Sequence, residues 1–152
     1  MKILFSYLWL LLPTCSAYLH IEDLRKMVLN NTQRKQLQIL AKEVLRPRSV
    51  VQQEVALIAN NQTEDVQRVY QLLVTIEGLQ EEATYQLEMV VLRNIGASER
   101  ILNLRQQMRT VELDVSLSRK QSAEVILEMK DELRRALTKA NRSVLDQLGI
   151  TP

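Results

Sequence analysis

Apolar residues recur along this chain at helical spacing, and no stretch alternates apolar and polar in the manner of a half-buried strand. The clearest stripe is Ile101, Leu104, Met108, Val111, Val115, Ser118, Ser122, Val125 and Met129, separated alternately by three and four residues. Such spacing is a heptad seam, here with small polar residues at its middle. From Met129 the stripe continues through Leu133, Ala136, Ala140 and Val144, where one step of four follows another. That stutter relaxes a supercoil toward a straight helix. Neither proline nor glycine interrupts Ala97 to Leu148. The pattern therefore predicts one helix over about 98–147, spanning about 75 Å at ~1.5 Å per residue.

The preceding segment carries a broad apolar face of its own: Val66, Val69, Leu72, Leu73, Ile76, Leu79, Ala83, Leu87, Val90 and Val91. Thr63 is placed to cap it, and Glu64 and Asp65 put negative charge in its first turn. Gly78 costs ~1 kcal/mol relative to alanine without ending the helix. The end is marked by Asn94-Ile95-Gly96-Ala97-Ser98, with Gly96 where a left-handed residue is wanted and Ser98 where the next helix needs a cap. A turn this short makes helices 63–94 and 98–147 antiparallel neighbours.

Upstream, Leu37, Leu40, Ala41, Val44 and Leu45 form a third stripe, predicting a helix over about 20–45. Pro47 pushes Arg46 out of helical geometry, and Asn30-Asn31-Thr32 weakens continuity within that helix. Val50, Val51, Val55, Ile58 and Ala59 predict a short helix over 49–59, which either runs into the next or breaks at Asn60-Asn61. Each apolar face needs a cover. The expectation is an all-α fold: an elongated antiparallel helical hairpin with additional N-terminal helices, a three- or four-helix bundle with a coiled-coil-like seam.

Composition changes this picture mainly at the start of the chain. Lys2, the apolar run Ile3 to Leu12, Pro13 and the small residues Cys15-Ser16-Ala17 read as a secretory signal over 1–17, cut between Ala17 and Tyr18. The run is about half the ~20 residues a membrane-spanning helix needs. Removing it leaves 18–152 as a single helical domain, secreted and extracellular. The lone cysteine, the lone tryptophan and the lone phenylalanine all lie within the signal, so packing alone must hold the exported chain. Lys2 is the one charge lost, so 20 basic and 18 acidic residues become 19 and 18, a net of +1. A balanced chain lacks the footprint of a nucleic-acid binder. Arg46-Pro47-Arg48 and the basic doublets, scattered among carboxylates, read as solvated faces. Three sequons, at Asn30, Asn61 and Asn141, are candidates for glycosylation in an exported eukaryotic chain.

Signatures of catalysis are missing: there is no G-x-S-x-G, H-E-x-x-H, glycine-rich phosphate loop or Cys-x-x-Cys. Carboxylate pairs such as Glu81-Glu82, or Glu128, Asp131 and Glu132, stand among basic residues and read as exposed ion pairs. No catalytic residue and no cofactor are expected. One chemical site remains. With Tyr18 as the mature terminus, its amine, the backbone amides of Leu19 and His20 and the His20 imidazole make a square-planar nitrogen set for Cu(II) or Ni(II). Tyr70 and Tyr85 are expected at the edge of the core with hydroxyls outward. Met27, Met89, Met108 and Met129 are expected as core filler.

Function is therefore sought on the surface. The expected role is that of a secreted, non-enzymatic helical glycoprotein acting on a protein partner or by self-association. Its pairing surface would be the seam of Ile101, Leu104, Met108, Val111, Val115, Val125 and Met129. In general character the chain resembles small, cysteine-poor secreted proteins of insect reproductive fluids, which implies a seminal or other body-fluid component. The alternative is a carrier of lipid or small apolar ligands. Amphipathic helices without disulfides or bulky aromatics resemble insect exchangeable apolipoproteins in composition.

Overall fold

The computed structural model describes residues 18–147, with side chains from Leu19 to Lys139. The expected export segment and its cleavage bond lie outside this range, except for the backbone of Tyr18. The fold is all-α. A 3-10 turn at Tyr18–His20 leads into α1 (Ile21–Met27), α2 (Asn31–Lys42), α3 (Arg48–Asn60), α4 (Glu64–Asn94), α5 (Glu99–Leu113) and α6 (Arg119–Gln147). No strand occurs among the described residues; an isolated bridge joins Pro47 to Ser118.

The chain forms two compact units, one taking in the residues up to Glu43 and Val50–Thr84, the other Val44–Ser49 and the residues from Tyr85 on. Helix α4 contributes to both. In the first unit, Ile21, Leu24 and Val28 pack with Leu37, Leu40, Val51, Val55, Ile58, Ala59 and Tyr70. Full burial of an aliphatic side chain of this size is worth about 1.5–3 kcal/mol. Tyr70 belongs to this core and not to its margin.

The helix expected over 20–45 is two helices. Val28 turns extended and Asn30 starts afresh, its Oδ1 accepting from the amides of Thr32 and Gln33 at 2.9 and 3.2 Å. The break lets Leu24 and Leu37 face the same core. Between α3 and α4 the chain also breaks: Gln62 donates to the Ile58 carbonyl and to Gln33 Oε1, and Gln67 donates to the carbonyls of Asn60 and Gln62.

In the second unit, α4 ends as its sequence predicts. Gly96 has φ +71°, its amide bonds the Arg93 carbonyl, and the Ala97 amide bonds that of Leu92. This closes orphan carbonyls in the Schellman pattern. Ser98 occupies the N-cap position of α5, though its hydroxyl makes no capping bond.

The single helix over 98–147 is the larger correction. Residues 114–118 form a turn, and α5 packs against α6 as an antiparallel pair tied by Arg100 to Glu132 at 2.8 Å. Three features impose the turn, two local and one from a distant residue. Asp114 Oδ1 accepts from both the amide and the hydroxyl of Ser116. Ser118 Oγ accepts from the Gln121 amide while Gln121 Oε1 accepts from the Ser118 amide, a reciprocal capping box that opens α6. Arg48, expected as a solvated cation, instead donates to the carbonyls of Val111 and Asp114 at 3.2 and 2.6 Å, where the C-terminus of α5 carries partial negative charge. Backbone bonds from Arg48 to Leu117, Ser49 to Val115 and Lys120 to Val44 complete the clasp.

Candidate functional site

Helix α4 carries apolar side chains on two sides. Tyr70, with Val66 and Val74, faces the first unit's core, and Glu88, Met89 and Leu92 are buried in the second unit. At ~100° per residue Val66, Tyr70 and Val74 share one side of the helix within the first unit. Val69, Leu72, Ile76 and Leu79 lie nearly opposite and are exposed, Leu72 and Leu79 at 56% and 66%. In the second unit, Leu87 and Val90 are exposed as well. The face expected to be covered by the hairpin is thus really two faces, of which only the more polar one is buried. A helix apolar on both sides is ordinarily covered on both. This outer face is the candidate functional site.

Its borders are polar. Arg68 pairs with Asp65 one turn before it, Thr75 lies on the same edge, and Glu82 follows at the next heptad position. Thr75 and Thr84 return their hydroxyls to the carbonyls of Gln71 and Gln80. Gly78 is helical, with open space where a β-carbon would stand.

The expected pairing seam is divided. Ile101, Leu104 and Met108 are buried within the second unit, Val111 and Met129 are half-buried, and Val115 lies in the 114–118 turn. Val115 and Val125 are exposed. The turn keeps these residues from forming one line, and Ile101, Leu104 and Met108 are taken up by packing within the unit.

A buried charge network is the site that sequence reasoning missed. Arg105 Nε donates to Glu88 Oε2 at 2.6 Å, and its two terminal nitrogens lie 3.4 and 3.5 Å from Glu112 Oε2. Arg109 approaches the same Glu112 oxygen at 3.7 Å. Both guanidinium groups sit over the Tyr85 ring, at 4.9 and 5.5 Å from its centroid. Two cations and two anions cancel, and the arrangement pins α4 to α5. Its signal was a shared face: Tyr85 and Glu88 one turn apart, and Arg105, Arg109 and Glu112 at successive turns.

His20 is held as well. Its Nδ1 lies 2.9 Å from Asp23 Oδ2 and its Nε2 4.0 Å from Glu77 Oε2, while Leu19 and His20 adopt left-handed backbone. A terminal copper site with Tyr18 and Leu19 would have to take Nδ1 from Asp23. The Asp23 carboxyl titrates below its ordinary range, first because of the His20 hydrogen bond and then that of Lys26. No cluster of three or more potential metal ligands occurs among the described residues. Of the carboxylates considered for chemistry, Glu132 pairs with Arg100 and Asp131 lies 3.7 Å from Arg134.

Asn30 and Asn61 are exposed. Asn141 lies within α6, with its side chain outside the described range. No helix among the described residues is long and apolar enough to cross a membrane. Comparison with protein-family models, curated proteins and solved structures finds no match.

Proposed function

We propose that this chain is a secreted, non-enzymatic helical glycoprotein that acts by binding protein surfaces, as a component of a body fluid such as seminal fluid. The observation that carries the reading is the outer face of α4, where Val69, Leu72, Ile76 and Leu79 stand in solvent on a helix whose opposite side is already packed. Contiguous exposed apolar surface of this kind marks interaction sites. Asn30 supports the glycoprotein element: its Oδ1 caps α2, so attachment at Nδ2 leaves the cap intact.

A second reading, a carrier of lipid, is favoured by apolar side chains exposed elsewhere, among them Leu29, Ile39, Leu45 and Leu57. The test uses the chain expressed in secreting eukaryotic cells. The reading expects a product in the medium that begins at Tyr18 and loses mass on deglycosylation. It also expects cross-linking in the native fluid to yield a complex that Leu72→Glu abolishes. Retention in the cell, or an unchanged cross-linking pattern, overturns it. Clarified phospholipid vesicles with a rise in helix content transfer the case to the carrier.

A further inference from the structure

We infer that the occupant of the outer face of α4 is a second copy of this chain, packed antiparallel across a two-fold axis at the level of Val74. The inference rests on the interaction reading above and specifies its partner.

Val69, Leu72, Ile76, Leu79 and Ala83 are spaced three, four, three and four residues apart, an a/d line of the kind helices bury against one another. All of them lie in the first unit and all are exposed. In an antiparallel pair, a positions meet d positions of the partner helix. Val69 of one copy then faces Leu79 of the other, and Leu72 faces Ile76, and each contact recurs by symmetry. Such a surface is complementary to itself, as an isologous dimer requires.

Charge selects this orientation. Arg68 and Glu82 both border the line on the same edge, fourteen positions apart and symmetric about Thr75. The antiparallel pair sets Arg68 against Glu82 of the other copy, twice, with the two Thr75 side chains between them. A parallel pair would set Arg68 against Leu73 and Glu82 against Leu87, so neither charge would face an opposite one across the interface. Sliding the antiparallel copies to overlap the whole stripe from Val69 to Val90 would bring Arg68 against Arg93. Only the register centred on Val74 joins apolar to apolar and opposite charge to opposite charge. Electrostatic matching of this sort sets register and orientation more than strength. On the opposite border the half-buried Leu73 meets its counterpart and extends the apolar contact.

Sedimentation of the full chain across a concentration series tests the proposal, with circular dichroism confirming unchanged helicity. Wild type should pass from monomer to dimer, and Leu72→Glu or Ile76→Glu should remain monomeric. Arg68→Glu, on an exposed border that folding does not need, should weaken the dimer roughly tenfold by setting like charges together, and adding Glu82→Arg should restore it. In a Cys15→Ser background, Thr75→Cys should oxidise to a covalent dimer while Leu79→Cys should not. A wild type that stays monomeric at every concentration overturns the dimer, yet leaves the interaction reading standing if the native fluid still yields the α4-dependent complex. A dimer that ignores Leu72→Glu, or a covalent dimer through Leu79→Cys, also overturns it.

Discussion

Among the described residues, the buried side chains of the first compact unit are aliphatic apart from Tyr70; in the second, Glu88, Arg105, Ser118 and Ser122 are buried beside Met89, Leu92, Ile101, Leu104, Met108 and Leu133. These two interiors specify structure differently. Aliphatic packing is non-directional, and cores of this kind tolerate swaps that keep their volume. A buried guanidinium is satisfied only where acceptors stand in the right plane, so Arg105 ties one residue of α5 to one residue of α4. The first unit resists loss of volume poorly, and the second resists loss of a partner poorly.

The sharpest test of the first half is Leu37→Ala. Leu37 is fully buried, and its truncation should cost about 3–4 kcal/mol in urea unfolding, whereas Leu37→Met should cost less than about 1.5 kcal/mol. For the second half, Glu88→Leu strands Arg105 with the more distant Glu112, and should cost about 3 kcal/mol. The double variant Glu88→Leu/Arg105→Met should recover most of that loss. A double variant as unstable as the single one would show that the charge pair acts as packing, and the contrast between the units would fail. Arg48→Gln comes next, removing charge-assisted bonds to Val111 and Asp114, at about 1–2 kcal/mol. Its mark should be faster amide hydrogen exchange across 111–120.

Asn30 brings the same logic to the first unit, where a polar side chain acts at a helix end. Asn30→Ala should cost about 1 kcal/mol by removing the α2 cap, while Asn30→Asp keeps the cap and removes only the sequon. Comparing the two by thermal unfolding separates the cap from any glycan at that site.

Much of this architecture was legible where a residue has one dominant local use. Gly96 between two periodic stretches announced a left-handed helix end, and Pro47 announced a boundary. The 114–118 turn was equally written, in Asp114, Ser116 and the Ser118-to-Gln121 box, but an unbroken heptad count overrode it. Periodicity reports which positions could share a face and is silent on whether the chain between them is continuous. The same limit applies to α4. Its apolar positions were legible, but their division into a packed side and an exposed side depends on which neighbours arrive, and Arg105 with Glu88 decides part of that from a distance in sequence. What sets the buried Arg105 apart from the exposed Arg100 in sequence is only the face it shares with Arg109 and Glu112.

The smallest effect bears on how each unit holds its turns. Asp23 and Asp114, one in each unit, both titrate below the ordinary carboxylate range, for different reasons. Asp23 is lowered chiefly by hydrogen bonds from His20 and Lys26, and Asp114 by the hydroxyl and amide of Ser116. Because each carboxyl binds its proton less readily folded than unfolded, its contribution is complete above the ordinary carboxylate range and is lost as pH falls through the lowered folded value. Acid should therefore loosen both turns in the same window. Salt should not act on them equally. The partners of Asp23 can carry charge and are screened, whereas those of Asp114 are neutral dipoles at contact distance, with Arg48 a lesser influence. Carboxyl titration by NMR at low and high salt should move Asp23 upward toward its ordinary range and leave Asp114 nearly in place. An equal upward movement of both would mean that Arg48, and not Ser116, holds Asp114 down, and that charge adds to the backbone bonds of the second unit's clasp.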